Sequence, residues 1–477
     1  MDTKKLRQKI LDLAIHGKLV PQDSNDEPAS VLLERIRAEK ERLVKEGKIK
    51  KSKASKTSDT PHYENVPFEV PNGWVWSILP NLCTIPITDG THQTPTYTDK
   101  EHGIPFISSK DVTSQKINWD NIKYITKELH EELYKRVAPQ KDDILLAKNG
   151  TTGVAAIVED SRVFDIYVTL ALIRPNKNVN PYYLYYVINS GFCKEQFNSH
   201  LTGIGLPNLH LTDIKKTFIP LPPLTEQERI VSEIKRWFTL IDKLEQEKTD
   251  LLTAIKQTKS KILDLAIHGK LVPQDLNDEP ASELLKRINP NAEITCDNGQ
   301  YGKMPEGWCE TILGELFEHN TGKALNSSNQ EGVMRDYLTT SNVYWDTFDL
   351  SVVKQMLFKE NELEKCTVVK GDLLVCEGGD VGRSAIWNQD YDVCIQNHLH
   401  RLRPKAELSV RFYYHVLKYL KDNNMIGGKG IGLLGLSSKE LHKLPFPFPP
   451  YNEQQRIVTK IEELFISLDN IQKALEV

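Results

Sequence analysis

The chain is 477 residues long, 39% hydrophobic and 26% charged, with a formal net charge of −4. That length suits about two or three domains, each large enough for its own core, and the composition is that of an ordinary globular protein. The balance of charge excludes a globally basic nucleic-acid binder, and seven cysteines without a CxxC pair argue against a disulfide frame or a zinc site.

Residues 3–16 carry Leu6, Ile10, Leu13 and Ala14 at the spacing of one helix face, with Gly17 as the stop and Pro21 beyond it. A second helix follows with Leu32, Leu33, Ile36 and Leu43. Residues 45–59 are polar and basic, which fits either a solvated linker or a lysine arm that grazes phosphates. From Val66 the pattern changes to short β-type runs at 74–78, 104–107, 144–147, 154–158 and 167–173, with helices around 127–136 and 182–190. This reads as a mixed α+β domain ending at the prolines of 220–223, and the same order recurs from Trp308 to Pro450.

The recurrence is explicit. Residues 10–30 and 262–282 are identical at 20 of 21 positions, differing only at Ser24 and Leu276. Weaker echoes keep step: Pro71-Asn72-Gly73-Trp74 with Pro305-Glu306-Gly307-Trp308, 141–145 with 370–374, 203–206 with 430–433, and 222–231 with 449–458. A period of about 250 residues means two large units in tandem rather than a solenoid. The flanks are nearly identical while 75–200 and 309–427 share only landmarks, so a common scaffold carries two different interiors.

Between the domains Ile234, Ile241, Lys248, Ile255 and Ile262 recur as heptad a positions. Trp237, Leu244, Leu251, Thr258 and Leu265 then fall at d, which predicts a coiled-coil seam. The C-terminal tail fits the same frame through Ile461, Leu464, Leu468, Ile471 and Leu475, and the N-terminal helix supplies the continuation that the tail lacks. The expected architecture is α+β: two domains in a pseudo-two-fold, circular arrangement, separated by an antiparallel pair of long coiled-coil helices. Its expected segments are 1–65, 66–220, 221–304, 305–448 and 449–477.

Over essentially its whole length the chain resembles the specificity (S) subunits of Type I restriction–modification systems. The resemblance rests on the block from Pro222 to Val231 with its C-terminal echo, the helix-borne repeat, and the two divergent domains between. Residues 89–95 and 108–112 also resemble target-recognition domain sequences. The resemblance implies a non-catalytic subunit in which each target-recognition domain reads one half of a split duplex DNA site. It implies partners as well: two methyltransferase (M) subunits on the shared regions, and restriction/translocase (R) subunits docked on that core. S-adenosylmethionine, ATP and Mg²⁺ would belong to those partners, with no cofactor or metal on this chain. The absence of an apolar run of about 18 residues and of a signal peptide adds the expectation of a soluble, cytoplasmic protein without a membrane partner.

Base edges are read by polar side chains on loops and helix ends. In the first domain this favours Thr91, His92, Gln93, Ser109, Lys110, Lys148, Asn149, Thr151 and Thr152. In the second it favours Lys323, Asn326, Ser341, Asn342, Glu377 and Arg383. Partner-binding and spacer positions are expected at Glu226, Gln227, Arg229, Ile234, Ile241, Leu244, Leu251, Ile255, Ile262, Glu453, Gln454 and Arg456. Other motifs carry less. The GxGxxG of 430–435 follows a helix rather than a strand, and Asn180-Pro181-Tyr182-Tyr183 lacks the second proline of an adenine-flipping motif. His16 and His268 sit at helix ends, where capping outweighs metal binding. The competing readings are a single-chain methyltransferase or nuclease with unrecognised motifs, and a coiled-coil scaffold that binds no DNA.

Overall fold

Each copy of the repeat begins on a helix and ends it in the same way. The computed structural model, which describes residues 2–49, 66–199, 208–292, 294, 300–325, 331–426 and 436–476, shows why. The first helix, α1 (Thr3–Ile15), is capped by the Asp2 carboxylate, which accepts from the Lys5 N–H at 3.0 Å. It stops at Gly17, which takes φ +64° so that the Lys18 N–H reaches the Leu13 carbonyl at 2.8 Å. Gly269 does the same at φ +63°, with Lys270 bonded to Leu265 at 2.7 Å. A Cβ would stand 2.3 Å from the Pro71 ring at Gly17 and 2.4 Å from the Pro305 ring at Gly269. The repeat and the Pro-x-Gly-Trp echo are therefore parts of one contact, made twice.

The chain divides into two units, Asp2–Gln246 and Glu247–Val477. The first holds α1, α2 (Ala29–Lys45), α3 (Lys127–Arg136), α4 (Pro181–Ile188), α5 (Gly191–Asn198), α6 (Leu211–Ile214) and the start of α7 (Leu224–Ile267). The second holds the rest of α7, then α8 (Ala281–Ile288), α9 (Leu313–Leu316), α10 (Glu360–Cys366), α11 (Val410–Asp422), α12 (Ser438–His442) and α13 (Tyr451–Glu476).

Both units are α+β, with matching sheets. In the first, a four-stranded sheet runs Thr88–Asp89, Leu170–Ile173, Ile144–Ala147, Ala155–Ile157; a second runs Tyr97–Thr98, Lys123–Ile125, Ile104–Ile107, Asp165–Ile166. In the second unit the first order recurs as Phe317–Thr321, Leu399–Pro404, Leu373–Cys376, Ser384–Ile386. The second sheet runs Lys354–Phe358, Val333–Leu338, Val393–Ile395, Thr367–Val368, its first three strands matching the last three of its counterpart and its edge strand Thr367–Val368 being its own. The central strands Ile144–Ala147 and Leu373–Cys376 are buried throughout, which is why both read as unbroken apolar runs. Of the expected strand 167–173 only Leu170–Ile173 forms, because Tyr167 makes an isolated bridge to Thr91 and a turn follows it.

The helical scaffold keeps the heptad spacing but not the expected seam. Ile234, Ile241, Ile255 and Ile262 are buried at a, whereas Trp237, Leu244, Leu251 and Thr258 at d are exposed. The second row is half-buried and shifted one residue, to Phe238 and Lys259 on α7 and Phe465 on α13. The shift follows from what packs there. Arg7 on α1 bonds Asp242 at 2.7 Å and lies 5.0 Å from the Phe238 ring. Lys259 on α7 bonds Asp469 and lies 5.4 Å from the Phe465 ring. These are the same contacts at equivalent positions, so α1 does in the first unit what the end of α7 does in the second.

Candidate nucleic-acid interface

One strand junction organises the expected base-reading residues of each domain. In the first unit it is 166–170. Val168 donates to the Thr91 carbonyl at 3.0 Å, the Thr169 hydroxyl accepts from the Ser109 N–H at 3.0 Å, and the Lys148 N–H reaches the Thr169 carbonyl at 2.8 Å. Leu209 then bonds the Lys148 carbonyl at 2.9 Å, and Asn149 bridges Asn208. Three segments distant in sequence, around 91, 109 and 148, so converge on Val168 and Thr169. Gly150 and Gly153, at φ +73° and +79°, turn the chain after Lys148 and present Thr151 and Thr152. These two glycines are a turn, as their recurrence at Gly379 and Gly382 implies.

The second unit repeats the junction at 395–399. Lys323 donates to the Ile395 carbonyl at 3.0 Å, Asn397 to the Lys323 carbonyl at 3.0 Å, Glu377 to the His398 carbonyl at 3.0 Å, and Leu436 to the Glu377 carbonyl at 2.8 Å. Thr91 and Lys323 thus occupy one position, Lys148 and Glu377 another, Thr169 and His398 a third. The backbone frame is common and the side chains on it differ.

Exposure sorts the residues within that frame. His92, Gln93, Lys110, Thr151 and Ser341 are exposed, and Ser109, Asn149, Thr152, Glu377 and Arg383 are half-buried. Thr91 is buried, 6% exposed, and its hydroxyl accepts from the Gln93 N–H at 3.2 Å. Lys148 bonds Asp89 at 2.5 Å with both side chains under 10% exposed, His92 lies 3.2 Å from the same carboxylate and Arg136 3.6 Å. Burial opposes ionisation of Asp89, but the bonds and charges of Lys148 and His92 outweigh it and hold the carboxyl below its ordinary range. Lys323 is likewise committed to Glu362 at 2.5 Å and to the Leu357 carbonyl at 2.9 Å. Its hydrogen bond is the main reason that Glu362 stays below the usual carboxylate range.

Asn342 serves the framework. Its amide oxygen caps the Thr339 N–H at 2.9 Å and its nitrogen reaches the carbonyls of Asp349 and Val352, both at 2.9 Å. Asp111 takes the same capping position in the first unit, bonding the Ser108 N–H at 2.8 Å. Arg383 donates to the Thr340 carbonyl at 2.5 Å and lies 4.9 Å from the Tyr344 ring. Asn326, the glycine-rich 203–206 and 430–435, and most of the lysine arm lie outside the described residues. Thr169 joins the site although the run 167–173 read as a core strand, its polar side chain inside that apolar run being the available signal; His398 and Asn397, which the sequence did not single out, take the equivalent place in the second unit.

The expected partner positions divide in the same way. Glu226 accepts from the Trp74 indole at 2.9 Å and Glu453 from the Trp308 indole at 2.9 Å. Gln227 bonds the Asn180 N–H at 2.9 Å and Gln454 the Ser409 N–H at 3.0 Å. Arg229 pairs with Asp26 at 2.6 Å, and Arg456 with Asp278 at 2.7 Å. Together these six side chains join helix, repeat and domain within each unit, leaving Trp237, Leu240, Leu244 and Leu251 as the exposed large apolar residues of α7. No helix among the described residues is long and apolar enough to cross a membrane.

Comparison with known proteins places this duplicated frame. The model of the Type I restriction modification DNA specificity domain matches twice, at residues 71–254 and 305–477. The chain is 29% identical to the Type I restriction enzyme EcoAI specificity subunit of Escherichia coli, over 97% of this chain and 88% of that protein. It is 28% identical to the EcoEI specificity subunit of the same species, over 99% and 91%. Among solved structures, the HsdS subunit from Thermoanaerobacter tengcongensis aligns with TM-score 0.51 at 20% identity, covering 86% of this chain and 93% of that one. A chain from a study of complex assembly and conformational transition of the type I R-M system aligns with TM-score 0.55 at 21% identity, covering 86% and 94%. With both matches falling on the two divergent domains and their helical flanks, the chain belongs to the Type I restriction–modification DNA specificity subunits.

Proposed function

We propose that this chain reads a bipartite, asymmetric duplex DNA site, one half per domain, and does no chemistry itself. The observation that carries the reading is the common frame with different side chains: exposed Lys110 in one domain stands where exposed Ser341 stands in the other, each next to the residue, Asp111 or Asn342, that caps the same turn. A single backbone geometry presenting two donor–acceptor sets suits two different half-sites, since the base-edge pattern in the major groove differs for each pair. His92, Gln93, Lys110, Asn149, Thr151 and Thr152 are the accessible readers of the first half, and Ser341, Glu377 and Arg383 those of the second.

The duplicated scaffold fits two copies of one methyltransferase subunit, with restriction subunits added to that core in the cytoplasm. Adenine methylation and cleavage, with S-adenosylmethionine, ATP and Mg²⁺, are assigned to those partners. A formal net charge of −4 accords with partners supplying much of the phosphate contact. The test is direct. The purified chain, given DNA, S-adenosylmethionine and Mg²⁺, is expected to neither methylate nor cleave. Adding the methyltransferase subunits is expected to yield methylation at one split motif. Methylation by the chain alone would overturn the reading.

A further inference from the structure

Beside the first domain, away from the strand junction, α1, α4, the start of α7 and the loop 113–116 enclose a groove of about 830 Å³. Its floor is aromatic. Tyr186 and Phe238 meet edge to face at 5.8 Å, and Tyr182 and Tyr185 continue the surface. Its walls carry five cationic side chains against the carboxylates of Glu159 and Asp242, in a chain whose formal net charge is negative. Arg7 is held by Asp242, and Lys235 lies 3.9 Å from the Tyr182 ring. Lys194 is half-buried, and burial lowers its pKa, a cost that an incoming anion would relieve.

The second unit fills the equivalent place with its own residues. Arg411 stands at the position of Tyr182 and bonds both Asp346, the counterpart of Gln115, and Glu462, the counterpart of Lys235. Trp345, where the first unit has Ser114, packs 6.1 Å from the Tyr414 ring and carries Lys418 at 4.6 Å. One copy of the site is closed by an internal ion network and an indole. The other is left lined with cations and rings.

We propose that the groove of the first unit receives an acidic segment of a partner subunit, anchored by one aromatic or aliphatic side chain, and that the second unit makes no such contact. The proposal rests on the reading of the chain as the recognition subunit of a larger complex. Charge complementarity selects an anionic occupant and sets its register. The tyrosine floor selects one that also buries apolar surface, as aromatic-rich interface centres do. Duplex DNA is a stiff rod; its phosphates suit lysines at a rim but leave an aromatic floor uncovered. Two otherwise equivalent partners would then be held unequally, one gaining a contact that the other lacks.

The experiment uses the reconstituted complex on target DNA. Thr239, exposed at the groove, is replaced by the photo-crosslinking residue p-benzoylphenylalanine; a second complex carries it at Ile466, the matching position of α13. Crosslinked peptides are identified by mass spectrometry. The expected result is one acidic partner segment at the Thr239 site and not at the Ile466 site. Lys194→Glu with Lys235→Glu should cut that yield about tenfold, like-charge contacts being costly. Crosslinks to DNA, equal crosslinks at both positions, or none from a complex that still methylates its target would each overturn the proposal. A complex that assembles but methylates no defined sequence would instead sink the functional reading, and this proposal with it.

Discussion

The indole N–H of Trp74 and the carboxylate of Glu226 meet at 2.9 Å, and Trp308 and Glu453 repeat the bond at the same distance. The surroundings differ in one respect. Glu226 also accepts from the Gln22 amide at 3.0 Å, whereas the second oxygen of Glu453 is buried without a partner among the described residues. Both oxygens of the first carboxylate are bonded, and only one of the second.

That difference makes a pH prediction. Burial raises the Glu453 pKa above its ordinary 4.5, against the opposing bond from Trp308. The folded state therefore holds this proton more tightly than the unfolded chain. Stability falls as pH rises from about the unfolded value through the folded one, and the loss is complete above it. Glu453→Gln is expected to raise Tm by a few degrees at pH 7, with the gain vanishing below about pH 4.5, where the wild-type carboxyl is protonated in both states. Thermal melts of both proteins across that range check it; an equal effect at every pH would show that charge is not the cause.

Trp74→Phe keeps the apolar contact but takes one donor from buried Glu226. A cost of about 1–3 kcal/mol is expected from chemical denaturation, without any change in the DNA sequence read.

The shifted helical seam separates two neighbouring positions. Ile241 is 1% exposed and Leu244 46%. Ile241→Ala should cost about 2–5 kcal/mol and Leu244→Ala about 0.5 kcal/mol or less in the isolated chain. Equal costs would restore the a/d seam.

The buried Asp89–Lys148 pair distinguishes framework from reading. Lys148→Met leaves the carboxylate without its 2.5 Å partner and should destabilise the chain by about 3–5 kcal/mol. Adding Asp89→Leu should recover most of that loss. If the pair also positions base-reading loops, the double variant regains stability and not methylation, as melts and methylation assays on one preparation would reveal.

Much of the architecture was legible because it is duplicated. The repeat, the Pro-x-Gly-Trp echo and the Pro-Pro block each hold residues that touch one another, so their recurrence marked a scaffold before any contact was known. The phase of the helical seam was not legible. Phe238 and Lys259 are one residue from d, and the choice between rows depends on where Arg7 and α13 lie. At the candidate base-reading loops the limit is chemical. Lys148 and Lys110 are both lysines on loops, yet one is locked to a buried aspartate and the other is exposed. Composition cannot distinguish them, since the partner Asp89 lies 59 residues away in sequence.

The most direct measurement exchanges residues 75–215 for the first domain of a relative with a known target and maps methylated bases across a genome carrying the reconstituted system. The expected motif has one half changed to the relative's and the other unaltered, with the gap between them preserved. A motif changed in both halves would contradict the assignment of one half-site to each domain.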